Sequence, residues 1–105
     1  MSELPTIHPE SRMLIDGKLV EAEGGRTYDN INPATEEVIG PVADASVDDM
    51  SRAIDSARRA FDETEWSTKR AMRKAGLEQL RDALAKRKEE LRPQIVAEVG
   101  TPIGL

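Results

Sequence analysis

The chain has 105 residues, no cysteine, one histidine, three aromatic rings and a formal charge of −5. At this length it holds at most one small domain, and Leu, Ile, Val and Phe make up only 21% of it, so the core is expected to be thin. Without cysteine, the sequence excludes disulfides, thiolate metal sites and a cysteine nucleophile, and a single histidine excludes a Ser-His-Asp constellation or a histidine metal cluster within the chain.

Residues 1–12 read as a flexible, extended arm. His8 lies between Pro5 and Pro9, close to Glu3 and Glu10, and is read as a solvated tail residue, because a catalytic histidine needs an orienting partner and a pocket. No stretch is apolar enough to span a membrane, and the N-terminus lacks the basic flank and apolar run of a secretory signal. The expected setting is cytoplasmic, with no membrane partner.

From residue 13 the pattern is extended. Met13-Leu14-Ile15 and Lys18-Leu19-Val20 flank Asp16-Gly17, the dipeptide of a type I′ hairpin. Gly24-Gly25 marks a turn, Thr27–Ile31 an extended segment, and Asn32–Glu37 a proline-led turn. Val38–Val42 is a second strand, kept short or at an edge because Pro41 lacks an N–H.

Helical signals start at Ser46. Ser46-Val47-Asp48-Asp49 has capping-box spacing, with Asp49 where Glu or Gln is usual. Met50, Ala53, Ile54, Ala57, Ala60 and Phe61 then form one apolar stripe, expected to be buried, in a helix ending near Asp62. Ser67 or Thr68 is expected to cap a second helix with Met72, Gly76, Leu77, Leu80, Ala83 and Leu84 on its apolar face. After Lys86-Arg87-Lys88 a third helix is expected, with Pro93 in its first turn, Leu91, Ile95, Val96 and Val99 on its apolar face, and Gly100 as its stop. Both long stripes are rich in Ala and Gly and bury little area, so these helices look built to lean on something larger.

Charge is split along the chain: residues 1–66 carry −9 and residues 67–92 carry +5. The basic segment contains no aromatic ring, and its charges are scattered around the helix. It reads as a solvated face that meets an acidic neighbour rather than as a nucleic-acid surface. The pairs Glu36-Glu37, Asp48-Asp49 and Glu89-Glu90 are adjacent in sequence, point apart in regular structure and read as solvated surface acids. Gly24-Gly25 and Gly100–Gly104 lack the spacing and free N–H groups of a phosphate cradle.

Several pieces, in order, carry a resemblance. Ile15-Asp16-Gly17-Lys18-Leu19-Val20, Gly25-Arg26-Thr27-Tyr28, Ile31-Asn32-Pro33-Ala34-Thr35 with Glu37-Val38-Ile39-Gly40, the helix bearing Ala53, Ala57, Arg58, Ala60 and Phe61, and Trp66 with Arg70 resemble the opening of the NAD(P)-dependent aldehyde dehydrogenase superfamily. Glu98-Val99-Gly100-Thr101-Pro102 is similar to the family's next landmark. The resemblance implies an incomplete α/β fold, with β-hairpin strands followed by two to three helices. Residues 13–105 would then form the N-terminal part of a Rossmann-like cofactor-binding domain and not a complete domain.

It also implies a parent enzyme that uses NAD or NADP to oxidise an aldehyde through a cysteine thiohemiacetal, as a homodimer or homotetramer. The family's catalytic cysteine, glutamate base, oxyanion asparagine and dinucleotide-gripping loops match nothing here. No catalytic or cofactor-binding residue is therefore assigned, and the chain alone is expected to be inert and to bind no dinucleotide. A sodium or potassium site is implied at the backbone carbonyls of Asn30 and Ile31 with the Glu98 carboxylate, where the family more often has aspartate. Read from the residues alone, Glu98 is equally a surface acid at a helix end. The alternative to a fragment whose partner is the rest of a dehydrogenase is a free-standing module that docks on a partner protein through its basic helix.

Overall fold

In the computed structural model, residue 7 and residues 9–101 are described; His8, most of the expected arm and Pro102–Leu105 lie outside the described residues. Strands β1 (Met13–Ile15) and β2 (Lys18–Val20) pair antiparallel with Met13 opposite Val20. Asp16 and Gly17 connect them with φ of 55° and 72°, the two positive values a type I′ turn requires. A single 3-10 turn at Glu23–Gly25 follows, with Gly24 and Gly25 both in the left-handed region.

Strand β3 (Thr27–Ile31) pairs antiparallel with β4 (Val38–Ala43), from Thr27 opposite Ala43 to Ile31 opposite Val38, with a bulge between Asn30 and Ile31. Each sheet has only two strands, so every strand is an edge and Pro41 is tolerated opposite Asp29. Pro9 packs on this sheet: a Cβ added to Gly40 would lie 2.6 Å from Pro9 Cγ. The part of the expected arm at Pro9 is therefore seated on β4.

Helix α1 (Val47–Glu63) starts as its sequence dictates. Ser46 Oγ accepts the Asp49 N–H at 3.0 Å, and Asp49 Oδ2 accepts the Ser46 N–H at 2.9 Å. The second helix, α2 (Arg70–Lys86), departs from expectation at its start, where Lys69 precedes it without a side-chain cap. Ser67 belongs instead to a 3-10 turn, Glu65–Ser67, which Thr64 caps by accepting the Trp66 N–H. Thr68 turns its hydroxyl back to the Glu65 carbonyl.

The chain breaks at Arg87, and α3 (Lys88–Val99) follows. Pro93 lies in the second turn of α3 rather than the first, so the Glu89 carbonyl has no N–H to accept from residue 93. Gly100 ends α3 at φ 76°, donating its N–H to the Val96 carbonyl at 2.8 Å.

Burial is the main correction. Among the described residues the only buried apolar side chains of the core are Ala22 and Ala97, joined by Pro93 on the same face of α3. Met50, Ile54 and Phe61 on α1 are 59%, 60% and 51% exposed, and Leu77, Leu80 and Leu84 on α2 are similarly open. Ile95 and Val99 are exposed too, whereas Leu91 and Val96 are half-buried and only Pro93 and Ala97 of α3 are buried. The cause is the shape of the chain. Its radius of gyration is 17.2 Å, against about 13 Å for a compact domain of this length. At 16 Å in its thinnest direction, it is about as deep as one helix laid on one strand pair. No further layer covers the outer faces of the helices.

Candidate functional site

The turn after β3 is built by Asn32. Its side-chain oxygen accepts the N–H groups of Ala34 and Thr35 at 2.8 and 3.2 Å, while its own N–H donates to Glu37 O and its carbonyl accepts from Glu36 N–H. Glu36 takes a left-handed φ of 63° to close the loop. This fixes Pro33 as a projection, and the end of α3 comes down upon it: a Cβ on Gly100 would sit 3.1 Å from Pro33 Cγ.

At that junction lie the residues singled out as cation ligands. Asn30 Nδ2 donates to Glu98 Oε1 at 3.0 Å across 68 positions of sequence, and Gln94 Nε2 donates to the same oxygen at 3.3 Å. Ile31 follows Asn30 at the bulge, 54% exposed, where the ladder is locally broken. The structure thus brings Asn30 and Glu98 into contact, with Ile31 adjacent in β3. Gln94, one turn before Glu98 on α3, was missed by sequence reading. The signal was its i, i+4 spacing to Glu98.

A second polar cluster corrects a reading of the sequence. Asp49, expected to be a solvated surface acid, is fully buried. Its Oδ2 accepts the Glu23 N–H at 3.0 Å as well as that of Ser46, and Oδ1 takes the Arg52 guanidinium. The backbone N–H groups of Glu23 and Ser46, helped by the Ser46 side chain and the Arg52 charge, hold the Asp49 carboxyl below its usual range despite the cost of desolvation. Every lone pair so engaged is structural; the cluster offers a substrate nothing to bind.

Elsewhere chemistry is sparse. Asp16 accepts from Ser56 Oγ at 3.3 Å and stands 3.7 Å from Arg59, tying the first hairpin to α1. Among the described residues no group of three or more His, Cys, Asp or Glu could hold a metal ion, and no helix is long and apolar enough to cross a membrane. The outer face of α2 carries Arg70, Lys74 and Arg81 beside Leu77 in an open groove.

Comparison with known proteins fits this picture of a partial fold. A model of the aldehyde dehydrogenase family matches residues 19–105. An aminoacetaldehyde dehydrogenase of Pseudomonas aeruginosa is 38% identical over 99 residues, which are 93% of this chain and 20% of that protein. Among solved structures, an NAD-dependent aldehyde dehydrogenase from Sinorhizobium meliloti superposes with a TM-score of 0.84 at 38% identity, covering 93% of this chain and 20% of that one. Betaine aldehyde dehydrogenase from Staphylococcus aureus, in complex with NAD+, superposes with a TM-score of 0.81 at 33% identity, over 91% and 19%. The chain spans about a fifth of the length of these relatives.

Proposed function

The chain belongs to the aldehyde dehydrogenase family, and we propose that it is the N-terminal piece of an enzyme that oxidises an aldehyde to a carboxylic acid with NAD or NADP as hydride acceptor. One observation carries this: a match running along 93% of the chain but only 20% of a relative, in a sequence with no cysteine to form a thiohemiacetal. In this reading residues 13–105 are part of a cofactor-binding domain that the rest of a dehydrogenase completes. The parent works in the cytoplasm as a homodimer or homotetramer, and the 105-residue chain alone is inert. Incubating the purified chain with NAD or NADP and a panel of aldehydes tests it. No reduced nicotinamide above the blank is expected, and reduction above it overturns the assignment of inertness.

The same reading places a sodium or potassium ion at the β3–α3 junction, held by the backbone carbonyls of Asn30 and Ile31 and by Glu98. The donors there are all oxygen, the set a hard cation prefers. Asn30 and Gln94 engage only Oε1 of Glu98, so among the described residues its second oxygen has no hydrogen-bond partner. An ion there would neutralise Glu98 and tie α3 to the sheet.

A second reading, a module that docks on a partner protein, is favoured by the open apolar stripes of α1 and α2.

A further inference from the structure

Two side-chain amides from different elements converge on one carboxylate oxygen at the β3–α3 junction. Asn30 Nδ2, on β3, donates to Glu98 Oε1 at 3.0 Å, and Gln94 Nε2, on α3, donates to the same atom at 3.3 Å. Both donors belong to half-buried residues, whereas Glu98 is exposed. An exposed glutamate near a helix end samples several rotamers, and holding one of them costs side-chain entropy. Here a strand and a helix each contribute a restraint.

The two restraints differ in range. Asn30 lies 68 positions from Glu98 and reaches it only when the strand and the helix are both in place. Gln94 stands four residues before Glu98 on the same helix, so its contact forms with α3 itself. Pro93 and Ala97, the buried residues of α3, each precede one member of the Gln94–Glu98 pair. The pair therefore runs along the border of the buried face. At the end of the same helix, Gly100 rests against Pro33 of the turn that follows β3.

A carboxylate oxygen has two lone pairs, and the two amides engage both on Oε1. On the basis of the cation reading above, we propose that Gln94 is a positioning residue for a sodium or potassium ion at this junction: together with Asn30 it occupies Oε1 of Glu98 and leaves Oε2 as the oxygen that takes the ion. Gln94 acts through Glu98. Its chemistry suits that role, because a neutral amide orients the carboxylate and leaves its charge in place. A lysine or arginine there would neutralise Glu98 and repel the ion. A carboxylate already held in one rotamer binds more tightly than one that must first be immobilised.

Titration of the full 105-residue chain with sodium chloride tests it, with choline chloride keeping the ionic strength constant. The midpoint is read from the melting temperature and from the backbone amide resonances of Ile31 and Glu98. Gln94→Met keeps the length of the side chain and removes the donor; Gln94→Lys puts an ammonium beside Glu98. Met and Lys are both good helix formers, so α3 is kept in each variant. Q94M should raise the sodium midpoint by about two- to tenfold, the effect of losing one hydrogen bond, and Q94K should abolish the sodium response. A purely structural role would lower melting equally in choline and in sodium and leave the midpoint where it was. That result in Q94M, or a Q94K chain that responds to sodium as wild type does, overturns the positioning role and leaves the cation site standing. A wild-type chain that responds alike to sodium, potassium and choline overturns the cation reading, and the role of Gln94 with it.

Discussion

Asp49, in the first turn of α1, accepts through one carboxylate oxygen the backbone N–H of Glu23, 26 residues earlier, at 3.0 Å. The bond joins the turn between the two sheets to the start of the first amphipathic helix. The same oxygen closes the capping box with Ser46. A local helix signal is thereby turned into a tertiary tie.

Replacing Asp49 by Asn should loosen both ends of that tie. An amide keeps one acceptor, but its NH2 would face the N–H donors of Glu23 and Ser46 or the guanidinium of Arg52, where no acceptor lies. The expected result is a lower melting temperature and faster hydrogen exchange at the Glu23 amide. Ser46→Ala, which removes the cap but leaves Asp49, should cost about 1 kcal/mol. If the Glu23 amide exchanges equally fast in wild type and D49N, the tie is not formed in solution.

The pH dependence has a definite sign. The folded-state pKa of Asp49 is depressed below its ordinary value of 3.8, so its contribution is fully present above that value and is lost as pH falls through the lower folded value. Glu10, held down at about 2 by the Arg12 side chain and N–H, acts in the same direction, although its exposure lets solvent screen the pair. Thermal melts should therefore be steady from neutral pH to about pH 5 and fall towards pH 2. The gap between wild type and D49N should close over that fall. A gap that stays constant down to pH 2 contradicts the assignment.

Gly100→Ala should be destabilising by about 1 to 2 kcal/mol, because φ 76° is unfavourable for an L side chain and the new Cβ would press on Pro33 Cγ at 3.1 Å. Chemical denaturation measures it. Gly76→Ala is a useful contrast. The helix gains up to about 1 kcal/mol in propensity, while the new methyl meets the Trp66 ring at 3.2 and 3.3 Å. Trp66 is 40% exposed and can swing outward, so stability should change little while its fluorescence shifts to the red. An unchanged emission maximum would show that the ring does not rest on Gly76.

If a monovalent cation is held at the β3–α3 junction, sodium or potassium chloride should raise the melting temperature more than choline chloride at equal ionic strength. Glu98→Gln should abolish the difference while keeping an acceptor for the Asn30 amide. Equal melting in all three salts removes the site.

How far the sequence could be read follows from the range of each interaction. The Asp16-Gly17 hairpin, the Ser46 cap and the Gly100 stop are local, each set by a few neighbouring residues, and all three form where the pattern places them. The second helix start was misread because Ser67 and Thr68 are as good at closing a 3-10 turn as at capping a helix. Only the packing of Trp66 on Gly76 distinguishes the two. The α3 face was misread because hydrophobicity ranks Ile95 and Val99 above Pro93 and Ala97, yet the latter two are the residues of α3 that are buried.

Taken by itself, the sequence determined the family, the order of strands and helices, and the absence of a cysteine nucleophile, since residue types and local spacing suffice for these. Tertiary structure alone decided that Asp49 is buried against Glu23, that Asn30 meets Glu98, and that the apolar stripes of α1 and α2 face outward. A stripe shows which side of a helix avoids water. What lies opposite depends on how the rest of the chain is placed, and here no further layer covers that side.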